Sequence, residues 1–243
     1  APYHDNLTRQ KVAKILENAD CNFFVSNALK KEAENLGNIG KSEILYNGVS
    51  EKFRIYSDEE RISLRNKYFV NECKVVAFVG NIIPIKNPES LVPIFSHISK
   101  EYNGPIKFWV IGDGELRRDI EINMIKEGVN CVFWGNQSTT ILPEIYQCID
   151  VLVIPSRNEG LALVAGEAIN CGANVIGTRV GGIPEVIGEN NCVSLEPGFE
   201  AQISRKVVCY LVNKQEQTLP EFINWKKTAA LENKIINRII SKE

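Results

Sequence analysis

Two glutamates eight positions apart, Glu159 and Glu167, lie in the part of the chain richest in chemical signals, Ile154 to Glu185, which reads IPSRNEGLALVAGEAINCGANVIGTRVGGIPE. Asp150 to Pro155 is an apolar run of strand length, and Glu159-Gly160-Leu161 falls where the following helix should begin. Amide N–H groups at such a start point outward beside a carboxylate, which makes a place for a phosphate. On one helix, eight residues rising about 1.5 Å each would separate the two acids by roughly 12 Å. The paired carboxylates of glycoside hydrolysis sit closer, at about 5–9.5 Å. The spacing suits two carboxylates gripping the hydroxyls of two different rings, with a diphosphate between them on the helix start, as a sugar nucleotide requires. Glu159 alone also fits an acid beside a helix dipole, worth about 0.3–1 kcal/mol, and Glu167 alone fits a solvated helix face. Gly166 speaks against the latter, since Gly inside a helix costs about 1 kcal/mol relative to Ala and signals a close approach.

The elements that position these residues alternate regularly from Val49 onward. Strands are expected over 74–79, 106–111, 130–134, 150–154 and 174–177, and helices over 58–68, 88–100, 115–127, 139–148, 161–171 and near 184–187. Almost wholly apolar strands separated by helical stretches predict a parallel sheet covered on both faces, a doubly wound, Rossmann-like α/β domain. Val193–Leu195 reads as a last strand and Glu200–Asn213 as a helix. Pro220 starts a final helix with Phe222, Trp225, Leu231, Ile235, Ile236 and Ile239 at helical spacing. Before Val49 the pattern is α/β with few elements: a helix over Leu7–Ala19, a strand over Cys21–Ser26, an amphipathic helix over Asn27–Leu36 and a strand over Ser42–Tyr46. In parallel α/β sheets ligands bind beyond the carboxyl ends of the strands. Besides the acidic stretch, polar turns fall there at Gly80 to Asn87, at Gly112-Asp113-Gly114-Glu115, where Asp113 reads as a helix cap, and at Trp134-Gly135-Asn136-Gln137.

Composition excludes several classes. With 243 residues, 44% of them hydrophobic and a net charge of -2, the chain can bury a sizeable core and offers no electrostatic case for nucleic acid. The seven cysteines are odd in number, show no C-x-x-C pair and mostly fall in apolar positions, so they read as reduced core thiols of a cytosolic protein. With only His4 and His97 as imidazoles, no metal site is expected. No apolar run approaches the roughly 20 residues that cross a bilayer.

The segment from Glu159 to Glu185 resembles the donor-binding motif of GT-B retaining glycosyltransferases of family 4, the glycosyl transferases group 1. In that motif a Glu, seven intervening residues and a second Glu precede a Gly-Gly-x-Pro-Glu turn, here Gly181–Glu185. The turn after the 74–79 strand resembles the family's G-R-(x)-x-x-x-K-G, in which Arg and Lys neutralise the donor diphosphate: Gly80 and Lys86 match, Asn81 replaces the Arg and Asn87 the Gly. The resemblance implies that Glu159 and Lys86 are catalytic, that Gly80, Asn81, Lys86, Glu159, Gly160, Leu161, Ala162 and Glu167 bind the donor, and that the backbone of Trp134, Gly135 and Asn136 meets the nucleobase. Gly160, Leu161 and Ala162 would present amides to the phosphates, Glu159 would hold the transferred sugar and Glu167 the ribose. Asn81 carries no charge, so stabilisation of the leaving group would lean on Lys86 and the amides.

Further implications of the resemblance concern organisation. Residues 1–48 look like the end of an N-terminal, acceptor-binding domain, 49–198 like the nucleotide-sugar-binding domain, and 199–243 like C-terminal helices whose last member either crosses back to the N-terminal domain or packs on its own. The expectation is a fragment, inactive alone, of a retaining, metal-independent hexosyltransferase of polysaccharide biosynthesis. It would use no cofactor and would take a nucleoside diphosphate sugar, with UDP the family's commonest carrier and GDP and ADP open. The acceptor would be a glycan or a lipid-linked molecule, and the full-length enzyme would be cytoplasmic, with peripheral association at the inner face of a membrane left open. A non-catalytic nucleotide-sugar-binding module is the alternative that the Asn81 departure favours, and a sugar-nucleotide epimerase is a weaker one.

Overall fold

A computed structural model of the protein describes residues 6–213 and 216–241; His4 lies outside them. The chain divides into two compact units, one made of the described residues up to Gly48 together with those from Pro220 on, the other of Val49–Leu219.

The first unit opens with α1 (Asn6–Asn18), β1 (Asn22–Phe24), α2 (Asn27–Glu34) and β2 (Ser42–Ile44). β1 and β2 pair in parallel, Asn22 opposite Ser42. Ser26 starts α2 by accepting the amide of Leu29 on its hydroxyl, a side-chain cap that fixes the helix start.

The second unit holds α3 (Asp58–Lys67), β3 (Lys74–Val79), α4 (Leu91–Glu101), β4 (Ile106–Ile111), α5 (Arg117–Lys126), β5 (Cys131–Gly135), α6 (Leu142–Tyr146), β6 (Val151–Ile154), α7 (Leu163–Asn170), β7 (Asn174–Thr178), α8 (Ile183–Ile187), β8 (Cys192–Val193) and α9 (Phe199–Val212). β3 to β8 form one six-stranded sheet in the order β5-β4-β3-β6-β7-β8. Every pairing in it is parallel. This is the doubly wound α/β arrangement expected from the continuous apolar strands. Consecutive strands run outward from β3 in one direction and from β6 in the other, so the order reverses between those two, and loops leaving their carboxyl ends diverge to opposite sides. On one face Val76, Phe78, Phe108 and Val110 pack with α4, α5 and α9 through Ile94, Phe95, Met124, Ile203 and Val207. Phe95 and Phe108 stack there at 4.6 Å. Each such side chain contributes about 1.5–3 kcal/mol when fully buried. Trp109 lies on the other face, edge-on to Tyr68 and Trp134.

Several expectations need correction. The helix expected over 88–100 begins with a 3-10 turn at Pro88–Ser90, and the one over 139–148 shortens to Leu142–Tyr146. α9, grouped above with the C-terminal helices, belongs to the Rossmann-like unit, because Phe199, Ile203, Val207 and Leu211 are buried in its core. The division therefore falls at Pro220 and not after Gly198. The last helix, α10 (Trp225–Ile240), does not start at Pro220. Asn224 caps it by accepting the amides of Lys226 and Lys227, at 2.9 and 3.2 Å, and a turn from Pro220 to Ile223 precedes the cap. α10 belongs to the first unit: the Thr228 hydroxyl donates to the Tyr46 carbonyl, and the rings of Tyr46 and Phe222 lie 4.3 Å apart.

The seven cysteines are free thiols. Cys148, Cys171 and Cys192 are buried as expected of core positions, whereas Cys209 is exposed on α9. Among the described residues no helix is long and apolar enough to cross a membrane.

Candidate functional site

The loops after β3 and β6 leave the sheet where its strand order reverses, and they carry the residues the sequence singles out. After β3 the chain passes Gly80 and the exposed Asn81, then makes a 3-10 turn over Pro84–Lys86. Asn87 follows in a left-handed conformation, φ 52° and ψ 45°. That conformation favours Gly and tolerates Asn best among the other residues, which explains physically why Asn can stand where the resembled motif has Gly. Its amide is also put to use. Nδ2 donates to the Pro155 carbonyl at 3.1 Å, and Oδ1 accepts from Arg157 at 2.7 Å. The Arg157 amide donates to the Ile85 carbonyl at 2.8 Å, so the two loops are fastened to each other at three points.

This fastening brings Lys86 onto Glu159: Nζ lies 2.5 Å from Oε1, with both side chains largely shielded from solvent. The same oxygen accepts from the Ser156 hydroxyl at 3.3 Å, and Thr178 at the end of β7 donates to the Ser156 carbonyl at 2.5 Å. Glu159 is held from behind as well. The Gly182 amide donates to the Glu159 carbonyl at 3.0 Å, and a Cβ at Gly181 would come within 1.8 Å of that oxygen. Gly181 has φ 50°, so both its backbone conformation and the space around it require glycine. The Gly-Gly turn packs on the main chain of Glu159.

The helix expected over 161–171 begins at Leu163, with Ala162 as its N-cap residue in a left-handed conformation, φ 57° and ψ 63°. An L-residue with a Cβ pays about 1–2 kcal/mol for that geometry. Glu159 lies in the loop before the helix, as the motif implies, so the separation along a helix axis worked out from the sequence does not apply to the pair. Gly160, Leu161 and Ala162 form the approach to the helix; the last two side chains are buried, at 4% and 5% exposure. Among the described residues no main-chain carbonyl accepts from the amides of these three, which leaves three donors beside the Lys86–Glu159 pair.

Among the described residues Glu167 makes no hydrogen bond or ion pair with Lys86 or Glu159. It stands on the second turn of α7, where its Oε2 accepts from the hydroxyl of Tyr146 at 3.1 Å. Burial pushes its carboxyl above the ordinary range, and the tyrosine bond opposes the shift. Gly166 beside it is buried.

The other two turns sit on the β4–β5 side. Asp113 does not cap α5 as expected: it accepts from the Gly114 amide at 2.8 Å and pairs with Arg117 at 2.9 Å, which hold its carboxyl below the usual range. α5 starts after Leu116 without a side-chain cap. The turns are laced together, with the Ile82 amide donating to the Asp113 carbonyl and that of Gly112 to Gly135, each at 2.9 Å. The Trp134 side chain joins the aromatic cluster with Tyr68 and Trp109, leaving backbone to line the loop; its carbonyl accepts from Gln137 at 2.7 Å, and Asn136 is exposed.

Sequence reasoning missed Ser156, Arg157, Thr178 and Tyr146, none of which touches the matched motif positions in sequence. Ser156 and Arg157 had one usable signal: they directly follow a buried strand, where side chains at the carboxyl end gather.

Residues 73–213 match the family described as glycosyl transferases group 1. An uncharacterized glycosyltransferase of Methanocaldococcus jannaschii is 34% identical over 170 residues, 67% of this chain and 43% of that protein. Sucrose-phosphate synthase from Thermosynechococcus elongatus superposes with a TM-score of 0.83 at 22% identity, over 98% of this chain and 63% of that one. Anabaena HepE, solved with UDP and glucose, gives 0.77 at 19% identity over 100% of this chain and 69% of its own. The chain thus spans less than half of that curated relative, and its parallel, Rossmann-like sheet is that of GT-B glycosyltransferases. With the family matched across more than half its length, the chain belongs to the glycosyl transferases group 1.

Proposed function

We propose that this chain is the donor-binding part of a retaining, metal-independent family 4 glycosyltransferase, and that it holds a nucleoside diphosphate sugar at the reversal point of its sheet. Lys86 and the amides of Gly160, Leu161 and Ala162 receive the diphosphate, Glu159 the hydroxyls of the sugar, Glu167 the ribose, and the backbone of Trp134, Gly135 and Asn136 the base. UDP is the carrier favoured by the family resemblance, and Anabaena HepE, which shares the fold, was solved with UDP and glucose. The sugar goes to a glycan or lipid-linked acceptor that this chain alone does not bind, so the isolated chain transfers nothing.

The observation that carries the reading is the 2.5 Å contact of Lys86 with Glu159 beside three amides without main-chain acceptors. An ammonium has three donors and spends one on Glu159. The remaining two, with the amides, supply preorganised positive potential where charge grows on a departing diphosphate. Calorimetric titration with UDP, GDP, ADP and uridine tests this. One diphosphate binds, and Lys86→Ala weakens it by about 10- to 150-fold, the range for a charged hydrogen bond, while uridine affinity is unchanged. Equal loss for uridine and UDP, or no diphosphate bound at all, rejects the assignment. A non-catalytic binding module is the second reading, favoured by the neutral, exposed Asn81. Donor bound tightly by the full-length protein but neither transferred nor hydrolysed would decide for it.

A further inference from the structure

Tyr146 closes α6 and is fully buried. Its ring meets Phe53 edge-on, centroids 5.7 Å apart at 77°. The next residue, Gln147, is equally buried and ties the end of α6 to the segment before α3, accepting from the Tyr56 amide at 3.1 Å and donating to the Arg54 carbonyl at 2.8 Å. Ring and backbone of Tyr146 are thus fixed from two sides, and its hydroxyl reaches 3.1 Å from Oε2 of Glu167. A buried hydroxyl must find a partner, and the one it has here is a carboxylate on a neighbouring helix. We infer that Tyr146 is the positioning residue of the donor ribose site: its O–H holds Glu167 by Oε2 in one orientation and leaves Oε1 to accept from the ribose hydroxyls. This rests on the assignment of Glu167 to the ribose made above.

The electrostatics agree with that division of roles. Burial drives the phenol well above its ordinary range, so Tyr146 stays the donor and Glu167 the acceptor. The same burial raises the Glu167 carboxyl, and the tyrosine bond opposes that shift. Of the elements packed against α7, β6 and β7 carry no ionisable side chain, α6 carries Glu144 and α8 carries Glu185. Among the described residues, the thiol of Cys171 at the end of α7 is coupled to Glu167 as Tyr146 is.

The test is UDP titration of the 243-residue chain from the ordinary glutamate range upward to alkaline pH, with Glu167→Gln as the control for protonation of the nucleotide's own terminal phosphate and GDP or ADP as probe if UDP is not the nucleotide bound. Tyr146→Phe keeps the ring and removes one oxygen. Near neutral pH it weakens binding about five- to tenfold, and the acid limb, where binding fails as Glu167 takes up its proton, moves to higher pH. In a Glu167→Ala background the same change has no effect on affinity, since the side chain it positions is gone. A packing role alone lowers the melting temperature and leaves the acid limb where it was. Should Tyr146→Phe not fold, 3-fluorotyrosine at position 146, a stronger donor of nearly the same shape, moves the limb to lower pH; an unmoved limb overturns the inference. If Glu167→Ala weakens UDP binding while Tyr146→Phe leaves affinity and limb unchanged, Tyr146 has no such role and the ribose assignment stands. If Glu167→Ala binds UDP as the unaltered chain does, the ribose assignment falls and the inference with it.

Discussion

Replacing Gly181 with Ala should disable the candidate site without substituting any residue assigned to the donor. A Cβ at that position would lie 1.8 Å from the carbonyl oxygen of Glu159 and 2.8 Å from its carbonyl carbon. Both are backbone atoms, so no side-chain rotation relieves the overlap. The substitution also pays about 1–2 kcal/mol for a Cβ in the left-handed region, where Gly181 has φ 50°. Gly128 supplies the control: its φ is 68°, and a Cβ there would meet nothing within 4 Å. Gly128→Ala therefore pays for backbone conformation alone. Gly181→Ala pays that, about 1–3 kcal/mol for forcing an added methyl into a packed site, and about 1 kcal/mol for the bond from the Gly182 amide to Glu159 that must stretch or break. The difference between the two variants is about 2–4 kcal/mol. For a unit of this size that is a melting temperature about 4–15 °C lower for Gly181→Ala. Moving the Glu159 main chain also draws its carboxylate away from Lys86, so UDP binding falls about tenfold or more in Gly181→Ala and is unchanged in Gly128→Ala. Scanning fluorimetry and calorimetry on the two variants read both effects. Equal melting temperatures, or Gly181→Ala binding UDP as the parent chain does, would show that the Gly-Gly turn does not support Glu159.

Three other outcomes follow from the structure. Ala162 holds a left-handed conformation with its side chain 5% exposed, so in Ala162→Gly about 1–2 kcal/mol of relieved strain offsets about 1–2 kcal/mol of lost methyl burial and added freedom of the unfolded chain; fluorimetry should show a melting temperature within about 2 °C of the parent chain's, and a drop of more than about 4 °C would show that Ala162 carries no strain. Glu167 has its carboxyl raised by burial, so its contribution to stability is complete below the ordinary glutamate range, near 4.5, and is lost as pH rises through the folded value. Glu167→Gln, which keeps an acceptor for Tyr146, therefore melts higher than the parent chain at neutral pH and loses that advantage as pH falls below the glutamate range; an advantage that grows toward acid pH refutes the assignment. Burial pushes the thiols of Cys131 and Cys171 up to about 12 and those of Cys148 and Cys192 up to about 11, so iodoacetamide at mildly alkaline pH labels the exposed Cys209 first. Mass spectrometry that finds those four modified before the fold melts contradicts the packing of the core.

What the sequence reveals and what it hides divide along one physical line, the range over which a residue acts. The strands of the sheet are legible because each is a continuous apolar run, and that pattern follows directly from burial on both faces. Lys86 and Glu159 are legible as candidates because each lies in a turn just after such a strand, so topology alone brings them to the same edge. Their contact is not legible: it depends on Asn87 adopting φ 52° and bonding Pro155 and Arg157 across some seventy positions of chain. The start of α7 is hidden for a local reason. Alanine is the best helix former, so a helical reading runs straight through Ala162, and only packing that buries Leu161 and Ala162 can hold the latter in the left-handed region instead. α9 was separable from α10 in principle, because Ile203, Val207 and Leu211 recur every four residues as an apolar stripe that must cover something. Tyr146 gives no signal at all, being one more apolar-face residue on a short helix until α7 is laid beside it. A candidate site of this kind is therefore half read from the turns that carry it, while the groups that aim it, buried and remote in sequence, emerge only from the packing.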